Sequence, residues 1–97
     1  MHSKICDAIK TKNQIKIIYD GQTRIINPHL IGIHHKSGKK TLRAYQVGGH
    51  SNSGKIPDWR MYSIDKISSV SHLDNSFEIN QGYNPNDSHM SSIICRV

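Results

Sequence analysis

Trp59-Arg60-Met61-Tyr62-Ser63-Ile64-Asp65-Lys66-Ile67 decides how the chain is read. Its alternation sets Arg60, Tyr62 and Ile64 on one face and Trp59, Met61 and Ser63 on the other, the period-two pattern of a β-strand. Asp65-Lys66-Ile67 then leads into Ser68-Ser69-Val70, a bend followed by more strand. Working upstream, residues 40–47 alternate in the same way: Leu42 and Ala44 share one face, Arg43 and Tyr45 the other. Between these strands, residues 48–58 read as a loop, with Gly48-Gly49, then His50-Ser51-Asn52-Ser53-Gly54, then Pro57.

Further towards the N-terminus, Ile15, Ile17 and Tyr19 fall on one face of a strand over residues 14–20, and Lys16 and Ile18 on the other. Asp20-Gly21 is a strong hairpin signal. A second strand runs from Thr23 to Ile26. Pro28 interrupts it, which implies an edge, a bulge or a bend, and Leu30 to His34 continues beyond it before Ser37-Gly38 turns the chain. Ahead of all this, Ser3 suits a helix cap. Ile5, Ala8 and Ile9 form one helical stripe, Lys10 and Lys12 suit the C-terminal end, and Asn13 is the stop. A helix is therefore predicted over residues 3–12. Downstream, residues 74–97 are rich in Asn and Ser, Tyr83-Asn84-Pro85-Asn86-Asp87 reads as a turn, and residues 93–97 suit a short strand able to pair with a sheet edge. Short strands, close turn signals and one helix predict a mostly β fold, a small β-barrel with one N-terminal α-helix. Closing the sheet also removes exposed edges. The 97 residues read as one domain, with a core over 5–72 and a polar extension over 74–97.

With 35% hydrophobic residues, one Phe and one Trp, the core should be thin and aliphatic. No apolar run approaches the ~20 residues a membrane helix needs, and the N-terminus leads into no signal-peptide apolar region. Both point to a cytoplasmic protein without a membrane partner. On that compartment, Cys6 and Cys95 are expected to be reduced, partly buried thiols, with a disulfide the lesser alternative. The net charge of +6 is unevenly placed. Residues 1–60 carry 11 Lys and Arg against Asp7, Asp20 and Asp58, a balance of +8, whereas residues 61–97 carry two against four acids, a balance of −2. Such asymmetry suits a basic face that attracts anions; a solvated surface with no partner is the alternative.

Catalytic chemistry has little foothold. There is no phosphate-binding glycine loop, no paired carboxylates of the glycosidase type, and nothing in the sequence that activates either thiol. No enzyme activity and no cofactor are therefore expected. The seven histidines match no zinc spacing, and His34-His35 should point to opposite sheet faces, so no metal site is expected either. More informative are basic residues interleaved with aromatics: Arg43 with Tyr45, and Arg60 with Tyr62. Arginine offers a fork of donors to phosphate or carboxylate, and tyrosine a ring for base stacking. Were the two arginines to lie on neighbouring strands facing the same way, they could converge on one anion. The alternative is that the tyrosines pack in the core and the arginines lie at its rim, with Arg60 paired to Asp58 or Asp65.

These strands resemble a WYL domain. The similarity runs through Ile15-Lys16-Ile17-Ile18-Tyr19, Arg24-Ile25-Ile26-Asn27-Pro28-His29-Leu30, Leu42-Arg43-Ala44-Tyr45 and the opening stretch from Trp59 to Ile67, about residues 5–72. The family's Trp-Tyr-Leu triplet appears as Lys40-Thr41-Leu42, and the helix-turn-helix that usually precedes the domain has no counterpart, so the chain reads as a standalone form. The resemblance implies an Sm/SH3-like barrel in a bacterial or phage-related regulator that senses nucleic acid or nucleotide-like ligands. It makes Arg43, Tyr45, Arg60 and Tyr62 the leading ligand contacts, with His29 and Arg24 next and Tyr19 either core or site. Two functions follow. The first is a regulatory, non-enzymatic module that binds single-stranded nucleic acid or a nucleotide. The second is a protein–protein adaptor or inhibitor acting through homodimerisation or a partner protein, favoured by the polar tail and its terminal strand.

Overall fold

A computed structural model describes residues 2–51 and 54–97. A helix, α1 (His2–Thr11), is followed by six strands: β1 (Asn13–Tyr19), β2 (Gln22–His34), β3 (Lys40–Gly49), β4 (Asp58–Ser63), β5 (Ile67–Ser76) and β6 (Met90–Arg96). A 3₁₀ turn, Ile64–Lys66, joins β4 to β5. The antiparallel sheet has the order β4-β3-β2-β1-β5, with β6 added beside β2. It curls on itself into a barrel-like body of 29 × 25 × 24 Å. The two ends of the path, β4 and β5, are neighbours in sequence, and the Tyr19 hydroxyl on β1 accepts a hydrogen bond from the Ser63 N–H at the end of β4. The fold is mostly β, with one N-terminal helix and a small β-barrel-like architecture.

Local chemistry accounts for each element. The α1 stripe, Ile5, Cys6, Ala8 and Ile9, is buried. The helix begins at His2, so Ser3 lies inside it and does not serve as the predicted cap. It closes at Lys12, whose φ of 55° and 3.2 Å bond to the Ile9 carbonyl end it one residue before Asn13. Asp20 and Gly21, at φ 50° and 75°, form the tight β1–β2 turn that two consecutive left-handed residues allow. The core is aliphatic, as expected: Ile5, Ile9, Ile15, Ile17, Ile26, Ile31 and Leu42 are fully buried, with Tyr62 the main aromatic.

Three expectations need correction. Pro28 does not split β2, which runs unbroken through it. Along one flank of β2, pairing with β1 ends at Ile26 and pairing with β6 begins at Leu30, so the proline occupies the gap between the two partners. On the other flank a register shift between Pro28 and Leu30 bends the strand, as a bulge does. Next, Cys6 and Cys95 are not free thiols but a disulfide, with Cα atoms 5.9 Å apart. Although 89 residues separate them in sequence, the helix stripe turns Cys6 inward and the pairing of Cys95 with Ile31 brings β6 beneath it. Lastly, the His34 and His35 rings stack at 5.1 Å instead of facing apart, because the strand ends at His34 and alternation ends with it. No helix among the described residues is long and apolar enough to cross a membrane.

Candidate anion-binding site at the barrel end

The β3–β4 ladder decides which predicted residues meet. Arg43 pairs with Met61, Tyr45 with Trp59, Ala44 with Arg60 and Leu42 with Tyr62. Directly opposed residues share a face. Arg43 and Tyr45 therefore lie on the outer face with Trp59 and Met61, while Arg60 and Tyr62 lie on the inner face with Leu42 and Ala44. The two arginines do not converge on one anion. The alternation within each strand is the predicted one; the register between the strands sets the faces apart.

Arg43 is held by the extension. Its Nε donates to Asp87 Oδ2 at 2.8 Å, and its Nη2 approaches Asp87 Oδ1 at 3.4 Å and His89 Nδ1 at 3.1 Å. Burial would raise the Asp87 carboxyl, but hydrogen bonds from Arg43 and from the His89 backbone outweigh it and hold the carboxyl below its ordinary range. Tyr45 packs edge-on against Trp59, with centroids 5.3 Å apart. Arg60 straps the β3–β4 loop: it pairs with Asp58 at 3.2 Å and donates to the Trp59 carbonyl, the Ser51 hydroxyl and the Lys55 carbonyl. This is the Asp58 pairing left open by the sequence. A backbone hydrogen bond from Trp59, helped by Arg60, keeps Asp58 below its ordinary range.

His29, which the resemblance ranks behind the leading contacts, is wholly buried. Its Nδ1 lies 2.8 Å from the Asn27 carbonyl, and its Nε2 accepts the Asn80 N–H at 3.1 Å. An acceptor at Nε2 leaves the ring proton on Nδ1, donated to Asn27. Both nitrogens are thereby engaged, Nδ1 within β2 and Nε2 on the extension, whose Phe77 and Tyr83 rings pack against His29 at 5.1 Å each. Desolvation lowers the His29 pKa, against the opposing bond to Asn27.

Arg24 is different. It is 5% exposed, and its guanidinium carbon lies 5.4 Å from the Tyr19 ring centroid and 5.9 Å from that of Tyr62. Among the described residues no carboxylate pairs with it and its buried Nε has no hydrogen-bond partner. Around it the barrel end is polar. Tyr62, 1% exposed, donates its hydroxyl to Gln46 Oε1 at 3.1 Å, and the Gln46 amide donates to the Gly48 and His50 carbonyls. Burial raises the Tyr62 pKa despite the opposing charges of Arg24 and Arg60, so the phenol stays protonated. Tyr19 and Tyr62 meet edge to face at 4.8 Å. Of the six predicted residues, then, the barrel end gathers Arg24, Arg60 and Tyr62 and leaves Arg43, Tyr45 and His29 on the other side of the sheet. No constellation of three His, Cys, Asp or Glu suited to a metal occurs among the described residues.

The fold and this site define a small antiparallel β-barrel-like domain with a buried arginine at one end. No family model, curated protein or solved structure matches the chain.

Proposed function

We propose that the chain is a regulatory, non-enzymatic binding module of the WYL type, which recognises a negatively charged ligand, single-stranded nucleic acid or a nucleotide, at the barrel end. The observation that carries this reading is Arg24: a guanidinium 5% exposed and without a carboxylate partner among the described residues. Burying a charge is costly unless it is paired. An anion reaching the barrel end supplies the missing counter-charge, and the Tyr19 ring, partly exposed beside it, offers a stacking surface.

The test is fluorescence anisotropy with labelled single-stranded DNA, single-stranded RNA and a nucleotide at low and moderate salt. Binding should weaken as salt rises, with a log–log slope of about −0.7 for each strand phosphate neutralised. Absence of binding by every anion at low salt would overturn the reading.

A second reading, an adaptor or inhibitor acting through self-association or a protein partner, is favoured by β6. Among the described strands it pairs with β2 alone, and Ile93 and Ile94 are 38% and 40% exposed. Sedimentation of the wild type and of Ile94→Lys distinguishes it: a dimer lost in the variant supports this reading, and a monomer at all concentrations removes self-association.

A further inference from the structure

The extension does more than cover the outer face. Between residues 82–89 and the β3–β4 surface lies a cleft of about 270 Å³. Trp59 and Tyr83 form its aromatic sides, their rings 24° from parallel with centroids 6.3 Å apart. The buried His29 ring touches both, at 4.7 and 5.1 Å, and fixes their spacing from below. Trp59 is held from two sides: its Nε1 donates to the Gln81 carbonyl at 3.0 Å, and Tyr45 packs against its ring. The rim is polar and rich in donors. Arg43 spends Nε and Nη2 on Asp87 and His89, while its Nη1 makes no hydrogen bond among the described residues, and nor does the Ser88 hydroxyl. Asp87 accepts from Arg43 and from the His89 N–H, so its oxygens are already engaged.

We infer that this cleft binds a planar, uncharged heteroaromatic ring of nucleobase size. Three features select that class. The volume lies just below the ~300–1,000 Å³ of drug-sized pockets, which suits a single ring system. Partly exposed Trp and Tyr faces favour stacking. The free donors of Arg43 and Ser88 seek carbonyl or ring-nitrogen acceptors, whereas the Arg43 charge is already matched by Asp87, which removes the attraction for a phosphate. The cleft lies on the opposite face of the sheet from Arg24, and its ligand needs no charge, so it stands apart from the anion site.

Trp59 is the only tryptophan in the chain, so its emission reports on the cleft directly. Adenosine and uridine, which carry no phosphate, should change that emission saturably, and the response should persist at high salt, where phosphate-driven binding collapses. Tyr83→Ala should weaken it by about tenfold, the loss of one stacking partner. Should Tyr83→Ala fail to fold, Ser88→Tyr, at an exposed position on the rim, should fill the cleft and abolish saturation. A dinucleotide that binds no more tightly than its nucleoside assigns the cleft to a free ring; one that binds more tightly, with the gain lost at high salt, assigns it to a base within a strand. No saturable response to either nucleoside at millimolar concentration, or an undiminished response in both variants, would overturn the inference.

Discussion

Burying a guanidinium without a counter-charge opposes folding, and the Tyr19 and Tyr62 rings offset only part of that cost for Arg24. Arg24→Met keeps the length and removes the charge. Its unfolding free energy in urea should match the wild type or exceed it by up to about 2 kcal/mol, while binding of labelled single-stranded DNA falls. A loss above about 2 kcal/mol would make Arg24 a structural cation instead. His29 gives a residue-scale test of the extension's anchor. Its folded pKa is lowered, so the unfolded chain binds the proton more readily. The stability it contributes is present above the ordinary imidazole pKa of about 6.5 and is lost as pH falls below that value towards the folded pKa. Protonation also removes the acceptor that holds the Asn80 N–H. Unfolding free energy should therefore decline on acidification through this window, and less so in His29→Gln; equal slopes in the two proteins would contradict the assignment. His29 was legible in the sequence as a notable residue, but not as an anchor, because its partners Asn80, Phe77 and Tyr83 lie some 50 residues away.

At the scale of elements, β6 is fastened three ways: by the ladder to β2, by the disulfide to α1, and by close approach at Gly32. A Cβ on Gly32 would stand 2.6 Å from the Ser92 carbonyl oxygen and 2.9 Å from Met90 Cγ. Gly32→Ala must push β6 away, at a cost of about 1–3 kcal/mol. Hydrogen exchange should quicken at the β2–β6 ladder and not at the β1–β2 ladder; unchanged exchange would show that β6 tolerates the displacement. Cys6→Ser/Cys95→Ser should lower stability by about 2–4 kcal/mol, since the bond closes a loop of nearly the whole chain. If the double variant unfolds at the same urea concentration as the wild type under oxidising conditions, the disulfide does not form in solution. The strands themselves were legible because alternation and the Asp20-Gly21 turn are local signals. Inter-strand register was not. Leu42, Ala44 and Tyr62 needed to be recognised as one buried face before Arg43 and Arg60 could be placed on opposite sides. The cysteine pairing was hidden for the same reason, being set by tertiary topology.

Over the whole molecule, the acidic balance of residues 61–97 meets the basic balance of residues 1–60 at specific points. Asp87 reaches Arg43 on the outer face, and Asp65 reaches Lys39 at 3.4 Å on the surface. The extension thus neutralises Arg43, which the sequence alone offered as a ligand contact, and the buried cation left without an acid among the described residues is Arg24. That arrangement is the central claim, and the nitrogen-15 spectrum of the arginine side chains tests it most directly. On titration with ribose 5-phosphate at low salt, an anion that carries no base for the outer cleft, the Arg24 Nε–H resonance should shift furthest and saturate, while that of Arg43, engaged by Asp87, should stay nearly in place. A shift confined to Arg43, or no movement of Arg24 at saturating ribose 5-phosphate, would contradict the account.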